Sequence, residues 1–512
     1  MLAEINTIGL MGIDGFLVKV QADISNGMPS FDIIGLPDAA VKEAKERAKT
    51  AIKNSKQSFP TKHITLNLAP ASTKKEGSSY DFPISVAILA ATGQINISDI
   101  EKSVFIGELS LDGNINKVNG VLPMVISAKQ LGMKKMFVPE ENAAEAAAIE
   151  DVEVYPVKSI ESLVKHFSGE ASIEPFFVDI DSLFKNISTG VLDFDEVKGQ
   201  ENVKRALEIA AAGNHNILLI GSPGTGKTML AQRMTGILPD MTKPESLEVT
   251  KIHSIAGTLP EDKPLMNVRP FRSPHHTISA VALSGGGTVP KPGELSLAHN
   301  GILFLDELPE FRRDVLEVLR QPLEDGKVTI SRASATLTYP CNIMLVASMN
   351  PCKCGYFGDP SRECTCTESQ VLAYRSKISG PLLDRIDIQV EVTPVDYQKL
   401  SSERKGESSA TVKERVNKTR EIQRERYKSY GGIYSNSQLT AGMIGEFCKL
   451  TPEADKILEA AFNNLGFSAR AHSRILKVAR TIADLDGSEN ITEKHIAEAI
   501  QYRSIDRKYW SN

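Results

Sequence analysis

Eight consecutive residues, Gly221, Ser222, Pro223, Gly224, Thr225, Gly226, Lys227 and Thr228, follow an apolar run ending at Ile220. They carry the spacing G-x-x-x-x-G-K-[ST] in the setting that spacing requires, a strand before it and a helix after it. The glycines let successive backbone N–H groups turn toward phosphate oxygens. The start of the following helix adds the positive end of its dipole. Lys227 is placed to reach the β- and γ-phosphates of a nucleoside triphosphate, and the Thr228 hydroxyl to ligate Mg²⁺. A second apolar run, Gly301 to Leu305, ends in Asp306 and Glu307. Such a strand buries its body and presents its C-terminal end at the ligand crevice of a parallel sheet. Asp306 suits a metal-bound water, and Glu307 suits polarising the attacking water. These residue types point to phosphoryl transfer to water, which needs positioning and electrostatics more than covalent chemistry.

Four of the six cysteines form a second group, Cys352, Cys354, Cys364 and Cys366, spaced C-x-C, nine residues, C-x-C. Four thiolates satisfy tetrahedral Zn²⁺ and leave no open position, so a metal here is structural rather than catalytic. The C-x-C spacing is tighter than the common C-x₂₋₄-C. Reduced, unliganded thiols and a disulfide pair are the alternatives. No export signal precedes the cluster, which favours metal over disulfides.

The rest of the chain must position these groups. It has 512 residues, 41% hydrophobic and 24% charged, which excludes a disordered chain and a fibre. Net charge is −5, so contact with nucleic acid would come from local patches rather than from the whole surface. No apolar stretch reaches the ~18 residues of a membrane span, and the expected compartment is the cytoplasm. Residues 1–170 alternate apolar and polar residues around Gly15 and Ile64 and have helical patterns at Asp38 to Ser55, Phe82 to Ala91 and Pro123 to Leu131. This reads as an α+β or α/β unit. Residues 171–190 read as a linker. Residues 191–400 hold short apolar strands between helices, the pattern of a parallel sheet covered on both faces. Residues 401–512 read as helical. Thr411 to Tyr430 holds seven basic residues against Glu414, Glu421 and Glu425. That helix could track a phosphate backbone, but a solvated, self-paired face is the plainer reading.

The stretch from about 194 to 400 resembles the AAA+ ATPase core of the magnesium-chelatase group. Asn350 is similar to the sensor-1 polar residue. Ser379 to Asp387 resembles the segment with the arginine finger, here Arg385. Ser468 to Arg480 resembles the sensor-2 helix, with Arg470 the better match and Arg474 the alternative. Arg269 to Gly293 resembles the helix-2 insert, and Leu323 to Arg332, read as a hairpin turning at Asp325-Gly326, the pre-sensor-1 hairpin. The resemblance implies pore loops, with Lys291, Lys327 and Arg332 as candidate DNA contacts; packing between subunits is the alternative. Residues 1 to about 165 look like a Lon-protease-like domain, on Gly35-Leu36-Pro37-Asp38, Asn67 to Ala71 and Gly107 to Gly113. Ser79 stands in the nucleophile's place, but Leu122 stands where the lysine base belongs, so the domain is expected to be non-proteolytic. Together these features resemble the ComM/YifB family of magnesium-chelatase-like proteins.

The expected fold is α/β: the Lon-like α+β domain, an αβα P-loop core with a parallel sheet, and a C-terminal helical lid. The resemblance implies ATP and Mg²⁺ as cofactors and a homo-oligomeric ring, usually a hexamer. It also implies movement along single-stranded or branched DNA, associated with branch migration in natural transformation. The alternative is a protein-remodelling or chelatase-type motor working through a partner; no von Willebrand-type domain follows the core.

Overall fold

The computed structural model describes residues 2–96, 100, 102–185, 192–260, 263–287, 290–331, 336–395 and 406–510. Contacts divide the chain into two units, Met1–Ile187 with Lys243–Asn267, and Ser188–Thr242 with Val268–Asn512.

The first unit is built on a seven-stranded mixed sheet. Its strands run in the order Ser30–Ile34, His63–Ala69, Asp14–Ser25, Leu2–Met11, Ser103–Phe105, Lys135–Pro139 and Glu153–Val157. Alternation decides which side faces inward: Ile64, Leu66 and Leu68 are buried while the residues between them are only half-buried. The helix Ala39–Asn54 starts where the Asp38 side chain accepts from Val41 N at 2.8 Å. The helix Asp81–Ala91 is buried along its whole length, so it has no polar face to reveal a helical period.

Two features of this unit depart from the sequence reading. The segment 171–190 is more than a tether: it contains the helix Ile180–Lys185, and Phe176 N donates to Val154 O at 2.8 Å. The helix Lys243–Ala256, from within the expected ATPase region, also belongs to this first unit. Gly120 N donates to Ser254 O at 3.1 Å, and the Ser254 hydroxyl donates to buried Glu145. Leu247 and Leu265 pack on the apolar cluster around Val121, Leu122 and Val125.

The second unit carries a five-stranded parallel sheet, ordered Phe271–Arg272, Ile302–Leu305, Met344–Met349, Ile217–Ile220 and Ile388–Glu391. Every residue of Ile217–Ile220, Ile302–Leu305 and Met344–Met349 is buried, as expected for a sheet covered on both faces. The C-terminal helices Ser409–Arg426 and Ala469–Leu485 contribute Val412, Val416, Ile475 and Ile482 to the same apolar core as the sheet. The architecture is mixed α/β with a parallel sheet and a helical C-terminal region. Among the described residues, no helix is long and apolar enough to cross a membrane.

The hairpin expected to turn at Asp325-Gly326 turns elsewhere. Gly326, at φ 64°, ends the short helix Pro322–Asp325, and the strand Lys327–Ser331 begins after it. That strand pairs antiparallel with Thr336–Pro340, and Lys327 sits opposite Pro340 at the open end of the ladder. Arg332 lies outside the described residues.

Candidate active site

Parallel register fixes where the chemistry gathers. Ile220 aligns with Met349 on one side and Glu391 on the other, and Leu305 with Ala347. Gly221, Asp306 and Asn350, which follow these strands, therefore emerge at one edge of the sheet. At Gly224 and Gly226, φ is 81° and 86°, left-handed values that suit glycine and let the loop fold back on itself. A Cβ at Gly221 would lie 2.3 Å from Val392 O, so the loop can seat only a glycine there.

Lys227 begins the helix Lys227–Arg233. Its Nζ donates to Gly221 O at 2.7 Å, Ser222 O at 3.0 Å and Asn350 Oδ1 at 3.1 Å. Burial pulls its pKa below the ordinary lysine value, and the fields of Asp306 and Glu307 offset this only in part. A desolvated ammonium held mainly by neutral oxygens favours an anionic ligand. The Thr228 hydroxyl donates to Asp306 Oδ2 at 2.7 Å. This hydroxyl and carboxylate form a hard oxygen set that suits Mg²⁺, which keeps several waters and takes few protein ligands. Glu307 has φ 53°, uncommon for a residue with a side chain. Its N–H donates to Asp306 Oδ1 at 3.1 Å and to Ser348 Oγ at 3.3 Å.

Two residues at this edge escaped the sequence reading. Ser348, buried in the strand Met344–Met349, donates to Asp306 and fixes that carboxylate. A hydroxyl near the end of an otherwise apolar run was its available signal. Gln200 precedes the helix Glu201–Gly213 and donates from Nε2 to Thr225 O at 2.9 Å and to Thr393 O at 3.3 Å. Nothing in its sequence context marks it.

The expected arginines lie elsewhere. Asp387 precedes Ile388, whose register partner is Ile217, so this segment is at the opposite edge of the sheet. Four residues of strand, roughly 13 Å, separate the two edges. Arg385 donates to Pro381 O at 2.8 Å and pairs with Glu324. Arg470 reaches Asp384 Oδ2 at 3.2 Å and keeps 70% of its side chain exposed. Arg474 is engaged differently: it pairs with buried Asp387, whose other oxygen lies 3.2 Å from His215 Nδ1. Arg385, Arg470, Arg474 and Lys477 line one cleft of about 620 Å³.

The pore-loop candidates Lys291 and Lys327 are both exposed. The basic helix, in contrast, is largely engaged, with Lys418 exposed. Lys413 pairs with Asp240, Arg415 with Glu208 and Glu407, Arg426 with Asp484 and Lys428 with Glu425, while Arg420 is buried. The cysteines do converge. The Sγ atoms of Cys352, Cys354 and Cys364 are 3.3–3.6 Å apart, and all four lie within 4.8 Å of one another. A disulfide needs about 2.05 Å, so the described geometry is that of free thiols. A tetrahedron with Zn–S near 2.3 Å has edges of about 3.8 Å, which these separations approach, so the donor set fits a metal ion. In the first unit Leu122 is fully buried.

Three family models of the magnesium chelatase subunit ChlI match in succession. The ChlI model covers residues 20–142, the magnesium chelatase model 193–400 and its C-terminal model 406–503. The competence protein ComM of Haemophilus influenzae is 43% identical over 99% of this chain and 98% of its own length. The uncharacterized protein YifB of Salmonella typhimurium is 44% identical with the same coverage. The magnesium-chelatase 38 kDa subunit of Rhodobacter capsulatus is 25% identical over 31% of this chain and 51% of its own. The fold and site define a magnesium-chelatase-like AAA+ ATPase. Within that class, the chain belongs to the ComM/YifB family.

Proposed function

We propose that this protein is a Mg²⁺-dependent ATPase that assembles as a homo-oligomeric, hexameric ring and moves along DNA in the cytoplasm. Branch migration of recombination intermediates during natural transformation is its work in this reading. The observation that carries it is the split between the two sheet edges: the phosphate loop and its carboxylates occupy one, and Arg385, Arg470 and Arg474, each paired with a carboxylate of its own edge, occupy the other. A site that needs both is completed between two copies of the chain. The near-full-length likeness to a competence protein supports the choice of DNA as the track.

In this mechanism the backbone of Gly221 to Thr228 cradles the triphosphate, and Lys227 leaves its carbonyl partners for the β- and γ-phosphates. Thr228 and Asp306 hold the Mg²⁺, which neutralises charge across those phosphates when bound. Ser348 keeps Asp306 in place. Glu307 orients the attacking water, and Asn350, already within reach of Lys227, senses the γ-phosphate. Arg385 and Arg470 of the neighbouring copy approach from the opposite edge and stabilise the charge that develops on the transferred group. Arg474 is the weaker candidate because Asp387 engages it. Lys291, Lys327 and Arg332 contact the DNA backbone. The Lon-like domain works without peptidase chemistry, since Leu122 cannot take a proton from Ser79. Cys352, Cys354, Cys364 and Cys366 hold one structural zinc ion.

The test is ATP turnover with forked DNA, single-stranded DNA, unfolded protein or no polymer, each at two salt concentrations. DNA should stimulate turnover, and less so at the higher salt as phosphate contacts weaken. Lys227→Ala should remove both turnover and strand migration. Stimulation by unfolded protein and not by DNA would instead establish the remodelling motor.

A further inference from the structure

The cysteine loop does not stand apart from the nucleotide site. Its first cysteine comes two residues after Asn350, and it folds back over the phosphate loop. Asp359, between the two cysteine pairs, accepts a hydrogen bond from the Ser222 hydroxyl. The same carboxylate is steadied from its own loop: Ser361 N and Ser361 Oγ donate to Asp359 Oδ1 at 2.8 and 2.6 Å. Gly355, between Cys354 and Tyr356, lies against the side chain of Pro223. A Cβ there would come within 2.6 Å of Pro223 Cδ and 2.7 Å of Cγ, and its φ of 92° suits glycine. Two consecutive residues of the phosphate loop, Ser222 and Pro223, are therefore buttressed by the span that the four cysteines enclose.

That span has little else to hold it. Residues 352–366 contain no helix or strand. Short turns, such as Gly355 N to Cys352 O at 3.0 Å, shape it locally. Arg375 braces its base, donating from Nε to Pro351 O at 3.0 Å with its guanidinium 4.7 Å from the Phe357 ring. The closure of the loop falls to the cysteines, and a metal cross-link there removes much of its conformational freedom.

We propose that the metal-bound cysteine loop is a strut for the phosphate loop, so that metal occupancy at Cys352, Cys354, Cys364 and Cys366 sets the affinity for nucleotide, with Asp359 as the positioning residue that transmits it. This inference rests on the zinc reading above. Asp359 acts through Ser222 and touches no phosphate. Its negative charge opposes a triphosphate, so its benefit must come from geometry. Coupling between two sites is reciprocal in binding free energy, so bound nucleotide must also tighten the hold on the metal.

The experiment uses the full chain. Zinc content is measured by elemental analysis. Binding of a fluorescent ATP analogue is measured before and after a zinc-selective chelator, with circular dichroism to confirm the fold. Metal removal should weaken binding about tenfold, the scale of one lost hydrogen bond to a charged group. Asp359→Ala should retain its zinc and raise the KM for ATP by about the same factor while kcat holds. Asp359→Asn, which keeps an acceptor and drops the charge, should restore most of the affinity. In the reciprocal arm, saturating non-hydrolysable ATP analogue with Mg²⁺ should slow zinc transfer to a chromogenic chelator. Protein that carries no metal at these cysteines overturns the zinc reading and this inference together. Protein that carries one zinc ion, yet binds nucleotide equally with and without it, leaves the zinc reading standing and overturns the strut. Tighter binding in both Asp359 variants would assign the residue a purely electrostatic role and overturn positioning.

Discussion

Two inactive variants should rescue each other when mixed. Glu307→Gln removes the group that orients water but leaves Lys227, Thr228 and Asp306 to bind nucleotide. Arg385→Ala removes a guanidinium from the opposite sheet edge, roughly 13 Å of strand away from the phosphate loop of the same chain. Alone, Arg385→Ala should bind nucleotide with near-normal affinity and lose about 10³-fold in kcat, the usual scale for an arginine finger. In an equimolar, randomly assembled ring, a working interface needs an intact water-orienting site from one protomer and an intact finger from the next. Each condition is met half the time, so about a quarter of interfaces regain both, and turnover should recover to about a quarter of wild type. The assay is steady-state phosphate release across a titration of mixing ratios, with a maximum at equal proportions. Absence of recovery, with mixed rings verified by mass, would refute the shared site. So would an Arg385→Ala protein that turns over at the wild-type rate.

Three further outcomes follow from individual contacts. Asp387 is buried between Arg474 and His215, and the Arg474 guanidinium holds its carboxyl far below the ordinary carboxylate range against the cost of burial. A depressed carboxylate stabilises the fold above its unfolded pKa of about 3.9 and loses that contribution only as pH falls through its folded value. Asp387→Asn should therefore cost about 3 kcal/mol at pH 7, as expected for an uncompensated buried charge, and an undiminished penalty below pH 2 in denaturant titrations would contradict the assignment. Lys291→Ala should reduce DNA stimulation of the ATPase more than Lys327→Ala, because Lys327 sits at the open end of its ladder opposite Pro340; equal effects would remove the distinction. In the first unit, Leu122→Ala should destabilise by about 3 kcal/mol because it empties a fully buried site, whereas Ser79→Ala should leave stability and ATP turnover unchanged, and ATP-dependent casein degradation by the wild type would show that another base reaches Ser79.

How far the sequence disclosed these features depended on whether the signal was local. The phosphate loop was legible because its glycines, Lys227 and Thr228 are adjacent and their strand is a pure apolar run. Asp306 and Asn350 were legible because each ends such a run, and a parallel sheet must deliver those ends to one edge. The cysteines were visible by type, but only the folded chain shows four sulfur atoms within 4.8 Å. What stayed hidden depends on non-local pairing. Asp325-Gly326 carries a hairpin signal, yet the same Gly at φ 64° serves equally well to end a helix, and the turn went elsewhere. The basic helix left a polyanion track open beside the plainer self-paired reading because most of its partners, Asp240, Glu208 and Asp484, are far away along the chain. Lys243–Ala256 follows the phosphate loop in sequence but packs Leu247 against the first unit's core. No sequence period distinguishes one apolar acceptor surface from another. The same limit hid Ser348, Gln200 and Asp359, the residues that hold the reactive groups still. Each acts through one or two bonds to a distant segment, and a single hydroxyl, amide or carboxylate carries no pattern. The chemistry of this site is therefore written in short motifs. Its precision is set by contacts that form only when the strands come into register, and variants at those three positions should change affinity or turnover by degrees where Lys227→Ala removes turnover.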